Sequence, residues 1–314
     1  SEKNFKECIE KVQSFSTSKQ LTPFELVISS AFTHFSINKV QLMILEVGLG
    51  GRLDATTSHP FRPVIAMSGI GLDHCEYLGE SLKKIAKEKA AVITSGSILI
   101  SADQHPDVKR VLEETAEKEN ARLLWVSPLS KSWELGIAGE IQRSNAAVAK
   151  ATLEELTTLG LVINNQQIKE GLSSAHWPGR LQRTTWENHP LLLDGAHNPH
   201  ASKQLSKERS NWSSEDPLIH WIIGIQFQKD APSMLRSLLK ENDIAWIVPI
   251  PNHQSWGKED LCNACPELSH QLNKSEGVLQ VLNYLRSKNQ WPSPPPVVTG
   301  SLYLIAEVLK VLEP

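Results

Sequence analysis

Continuous apolar runs of strand length alternate with stretches of helical periodicity through the first half of the chain. The runs lack apolar–polar alternation, which is typical of parallel strands that are covered on both faces. The predicted strands are residues 40–47, 63–70, 97–101 and 122–127, and the predicted helices are residues 3–14, 22–35, 81–93 and 106–119. Strands that alternate with helices indicate an α/β domain built on a parallel sheet.

A second α/β pattern follows a break in the periodicity at residues 177–180. Before the break, helices are predicted over residues 144–159, with Ser144 as the N-cap, and over residues 166–175. The polar residues 183–189 read as a linker, so we place a domain boundary after residue 184. Beyond it, the predicted strands are residues 191–193, 219–225, 245–249 and 297–299, and the predicted helices are residues 199–209, 231–240, 278–287 and 301–312. This pattern indicates a second, smaller doubly wound domain over residues 185–314.

Composition and charge exclude several classes of function. The net charge is −3 and Lys and Arg form no cluster, so nucleic acid is not an expected partner. No apolar run reaches the length of a membrane span. Four cysteines in 314 residues do not form a disulfide framework, which favours a reducing, cytoplasmic compartment. A single C-x-x-C at Cys262 and Cys265 excludes a four-thiolate zinc site.

Candidate chemistry lies where the predicted strands end, because ligands of open α/β sheets bind at the carboxyl ends of the strands. Glu46 ends an apolar run, and there it would bind a metal, cap a helix or pair with Arg52. Asp73 and His74 follow the next strand and leave the same choice open. The turn from Asp194 to Pro199 places a carboxylate before a helix start, a position that favours anionic groups.

Two cations are ambiguous by spacing alone. Lys89 lies among other charges on an amphipathic helix, so the pattern by itself indicates a solvated face. Arg180, beside the domain boundary, belongs either to a simple turn or to a phosphate site, for which its planar and permanently charged donors are suited.

Five short sequence motifs contain these residues, and both their residues and their order along the chain are informative. The strings are Leu45–Thr56, Gly71–His74 with Ile85–Ala90, Trp177–Leu181, Asp194–Pro199 and Thr299–Leu304. Together they resemble the signature of the dihydrofolate synthase/folylpolyglutamate synthase family, in the Mur ligase superfamily. The resemblance implies a P-loop-type parallel-sheet domain over residues 1–184 and a Rossmann-like domain over residues 185–314.

The resemblance also implies an activity. Members of this family join L-glutamate to a pteroate or folate carboxylate with ATP, through an acyl phosphate. We therefore expect small-molecule substrates, Mg²⁺, and a cytoplasmic monomer that binds neither nucleic acid nor membrane. The metal ions would neutralise triphosphate charge, and cationic donors would face the charge that develops.

Residue roles follow by the same resemblance. Glu46 and His74 correspond to magnesium ligands, and Lys89 to a lysine that becomes carbamylated and bridges a second Mg²⁺. Asn145, Arg180 and Asp194 correspond to residues that contact ATP, and His197 to a histidine with a catalytic role. Leu53, Asp54 and Ala55 fall where the family meets the pterin substrate.

The chain departs from the family pattern in three places. Ile141 precedes Gln142 where the family commonly has His, and Ala91 replaces a Gly. No G-x-x-x-x-G-K-[ST] phosphate loop is present, so we expect an N-terminally truncated chain with little ligase activity of its own. Two alternatives stay open: another Mur-type ligase acting on a peptidoglycan precursor, and a degraded paralogue that binds ligand without catalysing ligation.

Overall fold

The computed structural model describes residues 1–15, 20–212, 217–288 and 290–312. The chain divides into two compact units. The first unit contains residues 1–70 and 74–124, and the second contains residues 71–73 and 125–314. The domain boundary that the sequence places after residue 184 stays a prediction.

In its described residues, the first unit contains five α-helices and a three-stranded sheet in the order β1-β2-β3, whose last strand crosses the point of division. The helices are α1 (Glu2–Phe15), α2 (Pro23–Asn38), α3 (Cys75–Leu78), α4 (Leu82–Ala90) and α5 (Pro106–Lys118), and the strands are β1 (Val64–Met67), β2 (Ile98–Ala102) and β3 (Arg122–Val126). β1 and β2 are parallel, with Val64 opposite Ile98. Their apolar side chains pack with Ile85 and Leu112 of the flanking helices, as the continuous apolar runs predict.

The strand predicted at residues 40–47 is wrong. The segment has no regular secondary structure, and Ile44 is 86% exposed. A strand is stable only when a neighbour shares its backbone hydrogen bonds, and no ladder between described residues includes this segment. Glu46 is accordingly an exposed carboxylate and not the end of a buried strand.

The second unit contains a six-stranded sheet in the order β4-β5-β9-β6-β7-β8. Its strands are β4 (Gln182–Trp186), β5 (His189–Leu193), β6 (His220–Ile223), β7 (Ile244–Ile247), β8 (Leu272–Lys274) and β9 (Val297–Thr299). The hairpin β4-β5 is antiparallel, and the remaining pairs are parallel. The helices are α6 (Glu140–Glu155), α7 (Asn165–Ser174), α8 (Pro199–Lys207), α9 (Ala231–Leu238), α10 (Lys258–Ala264), α11 (Val278–Arg286) and α12 (Leu302–Leu312). Among the helices of the described ranges, none is long and apolar enough to cross a membrane.

Successive residues of the parallel strands enter two different cores. Trp221 and Ile223 pack in one cluster, whereas Ile222 packs in the other. Because side chains alternate across a strand, both faces of the sheet are covered by apolar groups. The α/β fold class predicted from the apolar runs is therefore confirmed.

Three local predictions for this unit are wrong or incomplete. Residues 183–189 are not a linker but strand β4 and its turn into β5, with Arg183 and Thr185 exposed on one face. Helix α6 begins at Glu140 and not after Ser144. Its N-cap is Gly139, and the Glu140 amide donates instead to the Glu208 carboxylate at 2.6 Å. Sequence patterns also missed α10 and β8, which are short.

Candidate functional site

The glycine-rich loop of the first unit, residues 48–54, is organised by the carboxylate of Asp54. One oxygen, Oδ2, accepts hydrogen bonds from the amides of Gly48 at 2.9 Å and Leu49 at 3.0 Å. The other, Oδ1, accepts from the Thr56 amide at 2.9 Å and hydroxyl at 2.6 Å. The residue is only 8% exposed. Asp54 therefore fixes the conformation of the loop from a buried position. Its neighbour Leu53 is 82% exposed, so the side chain of Leu53 is accessible from solvent.

The hydrogen bonds of this loop decide the ionisation of Asp54. Burial acts to raise its pKa, but the Thr56 hydroxyl and the amides of Leu49, Thr56 and Gly48 outweigh it and lower the pKa below the ordinary value of 3.8. Asp54 is therefore a carboxylate near neutral pH. The predicted contact of Leu53, Asp54 and Ala55 with a pterin stays a prediction.

The same loop lies against the end of helix α4, where Lys89 is located. The Arg52 amide donates to the Glu88 carbonyl at 3.2 Å, and Arg52 Nε lies 3.1 Å from Glu88 Oε1. A Cβ on Gly51 would lie 2.6 Å from the Glu88 carbonyl oxygen, so only glycine permits this approach. Lys89 is partly buried here, in contrast to the solvated face that spacing indicates. Arg52 pairs with Glu88 rather than with Glu46.

The predicted metal ligands of the first unit are an exposed carboxylate, Glu46, and a half-buried imidazole, His74. His74 is the N-cap residue that precedes helix α3 and has φ +50°, and its Nδ1 lies 3.9 Å from Glu76 Oε1. Across the described ranges, no group of three or more His, Cys, Asp or Glu side chains could hold a metal ion. Carboxylate oxygens and imidazole nitrogens are known metal ligands, and the roles of Glu46 and His74 as ligands stay predictions.

In the second unit, Asp194 joins two of the sequence motifs. Its Oδ2 accepts from the Leu181 amide and its Oδ1 from the Ala196 amide, both at 2.9 Å. The Gly195 amide donates to the Gly179 carbonyl at 2.8 Å, which ties the same two turns a second time. Gly179 has φ +72°, and a Cβ there would lie 2.5 Å from Ile305 Cγ2, so the turn requires glycine.

Burial determines the ionisation of Asp194. It raises the pKa of this carboxyl above the ordinary 3.8, although the Leu181 and Ala196 amides and the charge of Arg180 act in the opposite direction. The structure thus brings Arg180 and Asp194 within electrostatic reach of each other. Asn145 lies on α6, where its Nδ2 donates to Gln142 Oε1 at 2.9 Å.

His197 belongs to a cluster that sequence reasoning found only in part. Its Nδ1 lies 2.9 Å from the Gly195 carbonyl oxygen, and its Nε2 lies 3.7 Å from Asp73 Oδ2. Asp73 also accepts hydrogen bonds from Asn198 and from Lys229. Lys229 was missed, although it follows strand β6 and its position after a parallel strand is the signal that could have found it.

A cleft of about 340 Å³ in the second unit holds none of the site residues that the sequence predicts. It is lined among others by Trp133, Arg143, Leu181, Glu208 and Trp212.

The C-x-x-C pair is not among the predicted site residues either. Cys265 is buried, its thiol donates to the Leu261 carbonyl, and burial raises the pKa of that thiol. The thiolate is the reactive form of cysteine, and a raised pKa disfavours it. The environment of Cys265 is therefore that of a structural cysteine and not of a reactive one.

Comparisons with known proteins agree with the motifs. The family model "Dihydrofolate synthetase, C-terminal domain" matches residues 179–311. Dihydrofolate synthetase of Saccharomyces cerevisiae is 30% identical over 331 residues, which cover 94% of this chain and 77% of that protein. Dihydrofolate synthase/folylpolyglutamate synthase of Bacillus subtilis is 28% identical and is covered over 73% of its length by 94% of this chain.

Solved structures of such enzymes have the same fold. The bifunctional folylpolyglutamate synthase/dihydrofolate synthase from Yersinia pestis, complexed with AMPPNP and Mn ion, matches with a TM-score of 0.84 and 25% identity, over 100% of this chain and 77% of that one. Mycobacterium tuberculosis folylpolyglutamate synthase, complexed with ADP and AMPPCP, matches with a TM-score of 0.83 at 21% identity, over 99% of this chain and 79% of that one. The two-domain α/β architecture, the ordered motifs and the yeast relative lead to one conclusion: the chain belongs to the dihydrofolate synthase/folylpolyglutamate synthase family.

Proposed function

We propose that this chain acts as an ATP-dependent ligase that joins L-glutamate to dihydropteroate or to a folylpolyglutamate. The relationship to yeast dihydrofolate synthetase, which extends over 94% of the chain, carries the proposal. The geometry supports it, because Asp194 lies directly after strand β5 at the carboxyl edge of a parallel sheet. Another Mur-type ligase and a degraded paralogue are less favoured, since the relatives found are folate ligases.

On the nucleotide side, we assign Asn145, Arg180 and Asp194 to ATP. The guanidinium of Arg180 is a planar, permanent cation, which suits phosphate oxygens. Both carboxyl oxygens of Asp194 accept hydrogen bonds from backbone amides. Asp194 therefore fixes the turn that contains Arg180. His197, anchored at Gly195, is assigned a catalytic role beside them.

On the metal side, we assign Glu46 and His74 as ligands and Lys89, as its carbamate, as a bridge between two ions. The Yersinia relative contains a Mn ion, which agrees with a divalent metal. Bound Mg²⁺ would neutralise triphosphate charge as it shifts during phosphoryl transfer. An unmodified ammonium repels a cation, so the carbamate is what makes Lys89 a ligand. Glu88 and Arg52 hold the neighbouring loop in place.

On the acid-substrate side, we assign Leu53, Asp54 and Ala55 to the pterin. Leu53 offers an exposed apolar surface for a flat heterocycle, and Asp54 keeps the loop in shape. We further propose that the protein works as a cytoplasmic monomer. Four free cysteines agree with a reducing compartment.

The test combines ligand binding with turnover. Calorimetry with ATP·Mg²⁺, dihydropteroate, a folate and a nucleotide-linked muramyl acid should show binding of the first three and not of the muramyl compound. ADP release should require both the pterin acid and L-glutamate, and its rate measures how far these 314 residues sustain the reaction without a phosphate-loop motif. Binding of the muramyl acid in place of folates would contradict the proposal.

A further inference from the structure

Helix α6 of the second unit begins at a residue that has no side chain with which to cap it. Its N-cap is Gly139, with φ +112°. The first amides of an α-helix have no partner within the helix, so a cap must come from elsewhere. Here it comes from Glu208, 68 positions along the chain, whose Oε1 accepts a hydrogen bond from the Glu140 amide at 2.6 Å. A carboxylate also suits the positive end of the helix dipole.

Glu208 is itself held in place before it meets α6. It is only 5% exposed and lies in the short 3₁₀ helix Glu208–Asn211 that follows α8. Its second oxygen, Oε2, accepts from Asn211 Nδ2 at 2.8 Å. The next residue, Arg209, forms a buried ion pair with Asp243 at 2.6 Å. The carboxylate of Glu208 therefore extends from a segment that is anchored on both sides of its side chain.

The start of α6 also packs on the turn that Asp194 organises. A Cβ on Gly139 would lie 3.4 Å from Glu208 Oε1 and 3.5 Å from Leu181 Cδ2. Leu181 is the residue whose amide donates to Asp194. Burial is the largest cause of the raised pKa of Asp194, and the negative charge of Glu208 raises that pKa further. Glu208 thus lies close both to the start of α6 and to Asp194.

Helix α6 carries one of the residues that the proposed function assigns to ATP. Asn145 lies in its second turn, where its Nδ2 donates to Gln142 Oε1 at 2.9 Å. The residues that follow, 146–148, are buried. Because each side chain has a fixed direction on a helix, the position of the first turn determines where Asn145 lies relative to Arg180 and Asp194.

We propose that Glu208 is a positioning residue for the nucleotide: by capping α6, it holds Asn145 in a fixed place relative to Arg180 and Asp194. The inference rests on the proposed function, in which these three residues contact ATP. Without the cap, the first turn of α6 would fray, and the contact of Asn145 with the nucleotide would weaken. The contribution of one hydrogen bond corresponds to about three- to ten-fold in affinity.

The experiment measures ADP affinity by calorimetry in two variants of Glu208. Glu208→Leu removes the cap, and Glu208→Gln keeps an oxygen for the Glu140 amide. ADP affinity should fall about three- to ten-fold in Glu208→Leu and stay close to that of the unaltered protein in Glu208→Gln. The matched control is Asn164→Ala, which removes the N-cap of α7 in the same unit. It should destabilise the protein and leave ADP affinity unchanged.

A double-mutant cycle tests whether Glu208 acts through Asn145. Asn145→Ala removes the contact that the cap is proposed to position. In that background, Glu208→Leu should cause no further loss of ADP affinity, since two residues that serve one contact are not additive. The full additional loss in the double variant overturns the proposal. ADP affinity in Glu208→Leu equal to that of the unaltered protein overturns it as well.

Hydrogen exchange separates this inference from the proposed function. The Glu140 amide should exchange about ten-fold faster in Glu208→Leu and at the unaltered rate in Glu208→Gln. Unchanged exchange in Glu208→Leu overturns the inference, whatever ADP binding shows. Faster exchange, together with no ADP binding by the unaltered protein, supports the cap and overturns the nucleotide site of the proposed function.

A second variant keeps the test valid if Glu208→Leu does not fold. Asn211→Ala, at an exposed residue, removes the hydrogen bond to the other oxygen of the Glu208 carboxylate. It should shift ADP affinity and exchange of the Glu140 amide in the same directions as Glu208→Leu. Both quantities equal to those of the unaltered protein would overturn the inference.

Discussion

Asp194 accepts a hydrogen bond from the Leu181 amide at 2.9 Å and so ties the end of strand β5 to the turn that contains Arg180. A second amide, that of Ala196, binds the other carboxylate oxygen. The carboxylate is buried, and its pKa is raised for that reason. Two motifs that the sequence shows as separate strings are therefore one structural element.

Asp194→Asn should lose both stability and nucleotide affinity. The amide group of asparagine would face one of the two backbone amides, and an unsatisfied buried donor costs about 1–3 kcal/mol. Urea denaturation should show a loss of that size, and calorimetry should show weaker ADP binding. Asp103→Asn, at an exposed ion pair, should change neither. An Asp194→Asn protein with unaltered ADP affinity would remove Asp194 from the nucleotide site.

The stability of the first unit should depend on pH through Asp54. Its pKa is lower in the folded protein than the ordinary 3.8, so it stabilises the fold above that value, and the stabilisation is lost as pH falls through the folded pKa. The free energy of unfolding should therefore decrease as pH falls from about 5 to about 3. Asp54→Asn should flatten this dependence, and an equally steep profile in the variant would refute the assignment.

Gly51→Ala should destabilise the protein, because its Cβ would lie 2.6 Å from the Glu88 carbonyl oxygen. Overpacking of this kind costs about 1–3 kcal/mol. Gly171→Ala is the matched comparison, since that glycine lies in helix α7, where an added methyl group would have no described atom within 4 Å, and should gain about 0.4–1 kcal/mol. Thermal melts that rank the two variants in the opposite order would contradict the docking of the loop on α4.

The buried ion pair of the second unit should be more important than its surface pairs. Arg209 contacts both oxygens of Asp243, at 2.6 and 3.1 Å, and the side chains are 5% and 0% exposed. Arg209→Met would leave Asp243 buried without its cation, which costs about 3–5 kcal/mol. Lys310→Met, at an exposed pair with Glu307, should cost less than about 1 kcal/mol. Equal losses in urea denaturation would mean that Asp243 is satisfied by its other donors.

Carbamylation of Lys89 can be tested through its dependence on carbon dioxide. The amine of Lys89 should form the carbamate, so Mn²⁺ affinity should rise with added bicarbonate in the unaltered protein. Lys89→Arg, which keeps the positive charge and forms no carbamate, should lose this response. Lys87→Arg, at an exposed position on the same helix, should retain it. A bicarbonate effect that survives in Lys89→Arg would exclude this lysine as the site of modification.

The apolar runs determined most of the fold without tertiary information. Residues 63–70 and 219–225 read as parallel strands because both of their faces are apolar, and β1 and β6 lie within them. The run 40–47 is mostly apolar as well but forms no strand, because a strand also needs a neighbouring strand that shares its backbone hydrogen bonds. Strand β4 was read as a linker because one of its faces is polar. An antiparallel strand at the edge of a sheet needs only one apolar face, so its sequence lacks a continuous apolar run.

The sequence by itself also predicted which strings belong to the candidate site and identified the family, because motif order is a property of the chain. Only the tertiary structure shows the contacts that these residues make. Asp54 fixes its own loop, and Asp194 joins two motifs. Glu208, outside the motifs, accepts from the first amide of helix α6, 68 positions away. Lys229 became visible only through its contact with Asp73, 156 positions earlier. Local patterns record propensity and burial within one element, whereas such contacts depend on how separate turns meet at the end of a folded sheet.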